Sequence, residues 1–195
     1  MRKRSRHVSL AILGAAAFGL AGCKSQETDA QAFPDEASCV AAAEEGSLFF
    51  TVEDCRTTFA EAQQNHLETA PRYDSLEVCE EQHGEGNCGG DPAAAQQGGG
   101  GGSIFMPLMM GYLIGSMMGG NRGVMSQPLS RTANGGFATP SGDTRLSTNT
   151  GAGKAPANAF NRAPTTMGQP PMSRATVAQR GGFGSTAASR GSYGG

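Results

Sequence analysis

Residues Val8 to Gly22 are almost all Val, Leu, Ile, Ala, Gly or Phe, and the run closes on Leu20-Ala21-Gly22-Cys23. A basic start with Arg2, Lys3, Arg4, Arg6 and His7 precedes it. Positive start, apolar run and small residues at a cleavage point are the layout of a bacterial secretory signal. A Cys directly after Leu-Ala-Gly makes the narrower lipoprotein version. The thiol of Cys23 is then diacylated with palmitate-type chains, the peptide is cut before it, and the freed amine is acylated. Two or three chains at ~0.8 kcal/mol per buried CH₂ hold a protein on a membrane far more firmly than one. This stretch constrains the rest of the chain in two ways. It removes the most apolar segment from the mature protein, and it delivers the remainder to an oxidising compartment.

What remains is poor material for a large core. Of 195 residues 30 are Gly, none is Trp, and 16% are charged, so the composition predicts a mini-domain plus unstructured polypeptide. The net charge of −2 conceals a segregation. From Cys23 to Gly102 the bases are Lys24, Arg56 and Arg72, set against a long series of Asp and Glu. From Asn121 onward Arg122, Arg131, Arg145, Lys154, Arg162, Arg174, Arg180 and Arg190 face a lone acid, Asp143. Of the five cysteines, Cys39, Cys55, Cys79 and Cys88 lie outside the lipoprotein signal. An even number in an exported chain predicts two disulfides.

Helix signals cluster between Phe33 and Cys88. Asp35 caps a helix running to Glu45, with Gly46 after it; Thr51 and Asp54 form a capping box, and Pro71 stops the helix it opens. Ser75 caps a third helix, Leu76 to His83, ended by Gly84. Polar caps precede Cys39 and Cys79 by four residues, and Cys55 and Cys88 follow, a faint repeat of helix–loop–Cys units. Local pairing, Cys39–Cys55 and Cys79–Cys88, closes the shorter loops and is favoured; cross-pairing stays open. Ser103–Met118 is apolar but reaches only about 24 Å as a helix, short of a ~30 Å hydrocarbon core. Gly111, Gly115 and Gly119 would place a smooth stripe on such a helix, the kind that lets backbones approach in lipid.

The expected layout is a signal peptide over 1–22, a tether over 23–32 and an acidic Cys-containing helical domain over 33–88. A Gly-rich linker over 89–102, an apolar Met/Gly segment over 103–120 and a disordered basic tail over 121–195 follow. The fold class predicted is a small all-α disulfide-stapled domain, then a short apolar helix and a long disordered tail.

Several stretches carry a resemblance: Ala70-Pro71-Arg72-Tyr73, Gly84-Glu-Gly-Asn-Cys88, Phe105-Met-Pro-Leu-Met109, Met118-Gly-Gly120 and Arg180-Gly-Gly-Phe-Gly184. They are similar to the YgiB family of uncharacterised bacterial lipoproteins, whose four cysteines match Cys39, Cys55, Cys79 and Cys88. The resemblance implies no reaction, because the family has no established biochemical role.

Catalytic chemistry finds little support in the residues. Glu44/Glu45, Glu53/Asp54 and Glu80/Glu81 are adjacent carboxylates that point in different directions on a helix and read as solvated faces. Cys79, His83 and Cys88, with His66, offer metal-type ligands, but paired cysteines have no thiolates to give. No catalytic residue, metal or cofactor is expected, and no nucleic-acid partner. The protein reads as a non-enzymatic lipoprotein of the cell envelope, facing the periplasm. Lys24-Ser25 lacks the Asp that retains lipoproteins of many envelope systems in the inner membrane, so the outer membrane is the default. Its expected partners are the membrane, through Cys23, and an envelope membrane protein or a second copy. The latter contact is expected through Phe105, Met106, Leu108, Gly111, Gly115 and Gly119. The alternative is a module holding a cationic small ligand, such as a polyamine, on the acidic domain.

Overall fold

A computed structural model describes residues 27–47, 49–92, 103–116 and 124–180. The three helices form where the caps place them. Asp35 accepts the Ser38 N–H at 2.8 Å and starts α1, Glu36–Glu44. Thr51 and Asp54 make both halves of the capping box that opens α2, Val52–Thr69. Ser75 caps α3, Leu76–His83, and Gly84 ends it at φ 88°. Both disulfides are the local ones: Cys39–Cys55 ties α1 to α2, and Cys79–Cys88 ties α3 to β2, Cys88–Gly90.

The fold class is otherwise corrected. The protein is mixed α/β, built on a curled six-stranded antiparallel sheet. Its order is β7 (Arg145–Leu146), β6 (Phe137–Ala138), β5 (Val124–Arg131), β4 (Met109–Ser116), β1 (Glu27–Phe33) and β8 (Gly151–Pro156). A two-stranded sheet pairs β2 with β3, Phe105–Pro107. A 3₁₀ turn, Ala157–Phe160, follows β8, and α4 spans Arg174–Arg180.

Three segments differ from the sequence expectation, each for an identifiable reason. Residues 27–32 fall in the expected tether and Phe33 in the expected helical domain; Glu27–Phe33 is instead a strand, because Ala30 and Ala32 alternate with polar neighbours and these small side chains suffice to face a tightly packed core. The expected apolar helix over 103–118 is two strands over its described part. Its apolar residues run continuously because β4 is covered on both faces, which erases the alternation a half-exposed strand shows. Among the described residues no helix is long and apolar enough to cross a membrane. The tail expected to be disordered contributes β5 to β8, the 3₁₀ turn and α4 between 124 and 180. Its apolar content is low, yet Leu129, Phe137, Ala155, Ala159 and Phe160 are placed to share one core with Ala30, Ala32 and Leu113.

Two cores flank the sheet. On one face Tyr112 and Ile114 of β4 meet Phe33, Phe50, Ala62 and the Cys39–Cys55 bridge under α1 and α2. On the other, Leu113, Ala30, Ala32, Leu129, Ala155 and Phe160 pack together. Gly111 sits at a register shift in β4 with φ 144°, and a Cβ there would lie 2.7 Å from the Phe33 carbonyl oxygen. Gly115 supports the Phe160 ring, whose Cζ would be 2.2 Å from an added Cβ. The glycine spacing read as a lipid-facing helical stripe thus serves a strand that receives another part of the same chain.

The segregated charges meet inside this one body. Lys154 pairs with Asp29 at 2.7 Å, Arg174 with Glu81 at 2.5 Å, and Arg162 with Glu68. Each joins the basic second half to the acidic first half. All three are surface pairs, screened by water and salt, so they select register more than they add stability.

Candidate functional site

The densest cluster of polar groups lies where α2 ends, at Ala70-Pro71-Arg72-Tyr73, and all four residues are buried. Pro71 cannot continue the helix, so the chain turns extended and presents Arg72 to the interior. Arg72 Nε donates to Asp91 at 2.5 Å, and its side chain is 5% exposed against 2% for Asp91. The remaining guanidinium N–H groups donate to the Leu67 carbonyl at 2.7 Å and to Thr166 Oγ1. Thr166 in turn donates to the Ala70 carbonyl at 2.6 Å. A buried charge stays only where it is paired and fully hydrogen-bonded, and here both conditions hold. The cluster fastens α2, the strand end at Asp91 and the 162–172 segment to one another.

Tyr73 extends the cluster. Its backbone exchanges hydrogen bonds with Phe105, while the neighbouring Arg72 carbonyl accepts from Met172. Its hydroxyl lies 2.9 Å from His83 Nε2, and His83 Nδ1 lies 2.7 Å from the Arg131 carbonyl. A carbonyl only accepts, so Nδ1 carries the proton, Nε2 is the acceptor, and the Tyr73 O–H donates. Burial holds the His83 imidazole down to about 4 and pushes the Tyr73 phenol well above its ordinary value. His66 is lowered too, by burial; its Nε2 donates to the Pro107 carbonyl at 2.9 Å, and among the described residues its Nδ1 has no hydrogen-bond partner. Both histidines are therefore neutral at pH 7.

This arrangement cannot reach a substrate. Tyr73 and His83 are fully buried, and the bonds they make join elements of the fold. Cavities among the described residues open elsewhere. One of about 120 Å³ lies beside β8, floored by Ala30, Ala32 and Leu113 and rimmed by Ser147, Thr148 and Thr150. One of about 330 Å³ lies between the β5–β6 turn and β7, against Asn134, Gly135, Phe137 and Arg145. Neither lining includes a His, Cys or carboxylate.

The residues singled out from the sequence are dispersed. Cys23 and Gly119 lie outside the described residues, as do the signal and the aromatic–glycine end of the tail. Cys39 and Cys79 are buried within their bridges. Met106, Gly111 and Gly115 face the interior, Phe105 is half-buried beside Tyr73, and Leu108 is 45% exposed. Cys79, His83 and Cys88 do not gather round an ion: the two cysteines are bonded together and His83 turns to Tyr73. Among the described residues no group of three metal-type ligands is present. The Arg72–Asp91 pair went unseen in the sequence. Its signal was Arg72 itself, one of three bases in an otherwise acidic stretch.

Comparison with known proteins gives a relationship along nearly the whole chain. "UPF0441 protein" of Erwinia tasmaniensis is 33% identical over 197 residues, covering 94% of this chain and 83% of that one. A protein of the same description from Pectobacterium carotovorum is 32% identical, covering 96% and 84%, and one from Klebsiella pneumoniae is 31% identical, covering 94% and 83%. No solved structure matches the chain. The family described as "Protein of unknown function (DUF1190)" matches residues 27–194, and the chain belongs to it.

Proposed function

We propose that this protein is a non-enzymatic lipoprotein of the bacterial envelope, anchored through acylated Cys23 and facing the periplasm, where it acts as an accessory or scaffold component. The observation that carries the non-enzymatic part is the placement of the chemically capable side chains. Arg72, Tyr73, His66 and His83 are all spent inside the fold on bonds between its elements. The anchor is supported by the sequence: a basic start, an apolar run and Leu-Ala-Gly before Cys23. Among the described residues of the apolar segment expected to make the partner contact, Leu108 is a large apolar side chain left exposed to an envelope protein. The outer membrane is the preferred location, from Lys24-Ser25.

Fractionation of cells fed labelled palmitate tests the anchor, comparing the wild type with Cys23→Ser. The wild type should take up label, lose residues 1–22 and sediment with membranes, while the variant remains uncleaved and unlabelled. Equal membrane association of both without label would overturn the anchor at Cys23.

A further inference from the structure

We infer that one particular end of the six-stranded sheet, made by the start of β1, the start of β5 and the end of β8, lies against a phospholipid head-group surface. The inference rests on the acylation of Cys23 proposed above. The strand β1 begins at Glu27, so only four peptide steps separate it from the acylated residue. At 3.3–3.6 Å per residue those steps span at most about 14 Å. A body of this size has a radius of gyration of about 15 Å, hence a diameter near 40 Å. The tether is thus much shorter than the body, which cannot turn over to present its far end.

The strand registers then say what faces the lipid. Glu27 stands opposite Pro156, and Ser116 opposite Val124, so β1, β8, β4 and β5 all have an end at this level. Thr28, Met125 and the exposed Ala157 and Asn158 complete it. Apart from Glu27 the side chains named here are uncharged, and Asp29 and Lys154, two residues further along β1 and β8, pair at 2.7 Å. Among the described residues this end holds mostly small or polar side chains with one carboxylate, Glu27, which suits contact at head-group depth more than insertion. The opposite end holds the β5–β6 turn at Asn134–Gly136, the turn around Gly142 and the cavity of about 330 Å³. It is turned to the periplasm, away from the bilayer.

Photolabelling of the full acylated protein in vesicles of phosphatidylethanolamine and phosphatidylglycerol tests this, with a diazirine on the head group of a tracer lipid. Adducts are mapped by mass, and the intact mass reports the acyl chains in the same sample. The expected result is an acylated mass with adducts at Glu27–Asp29 and Pro156–Asn158 at least tenfold above those at Asn134–Gly136 and Thr139–Asp143. An acylated mass with even labelling, or with labelling mainly at the far end, overturns the orientation alone. An unacylated mass without adducts overturns the anchor, and the orientation falls with it.

Discussion

A methyl group on Gly115 would sit 2.2 Å from Cζ of Phe160, closer than any real contact allows, and the obstruction is a ring held in the core. Overpacking of this kind costs about 1–3 kcal/mol. Gly115→Ala should therefore lower the urea midpoint, and adding Phe160→Ala should cost less than the two single effects summed, because the small residue then has room. Strict additivity in that cycle would mean the ring does not rest on Gly115. His83 gives a second prediction at this scale. Burial holds its folded value near 4, below the ordinary 6.5, so the unfolded chain takes up its proton first as pH falls. Its contribution is complete above the unfolded value and is lost as pH drops toward the folded one, by on the order of 3 kcal/mol. His66 is shifted the same way and adds to the slope. Urea midpoints measured across that window should fall with pH, and His83→Gln should flatten the dependence; an unchanged slope would contradict the burial argument.

The elements differ in how far they could be read from the sequence, and the difference is physical. Helices announce themselves locally: Asp35, the Thr51/Asp54 box and Ser75 each satisfy orphan N–H groups within three residues, so the signal and its cause lie in one short stretch. The strands of this sheet depend on partners far away in the chain. Ala30 and Ala32 become core only because Leu113 and Ala155 arrive beside them, and nothing within 27–33 states that. The same holds for Pro128, tolerated within β5 because β6 pairs only at Ser130 and Arg131. The candidate site divides likewise. Both disulfides were legible as short loops, while Arg72–Asp91 joins residues of which one was assigned to a linker. The bridges carry the prediction at this scale. With separations of 16 and 9 residues, loop closure gives about 3 kcal/mol for Cys39–Cys55 and about 2.5 kcal/mol for Cys79–Cys88. Replacing either pair by Ser should lower the denaturation midpoint accordingly, with the larger loss at Cys39–Cys55. No change in either would place the bridges outside the cooperative unit.

For the molecule as a whole, the acidic first half and basic second half are two parts of one body. The sheet interleaves them, since β1 from the first half lies between β4 and β8 from the second, and three ion pairs cross the divide. A chain with so few large apolar side chains can fold this way because small residues fill much of one face of the sheet, its aromatics gather on the other under α1 and α2, and the disulfides limit the unfolded state. Hydrogen exchange on the chain tests that unity most directly. Slow exchange shared by 27–33, 109–116, 124–131 and 151–156, as one cooperative unit with α2, is the predicted result. Exchange at the rate of an unstructured chain from 124 onward, with protection confined to the three helices, would contradict it.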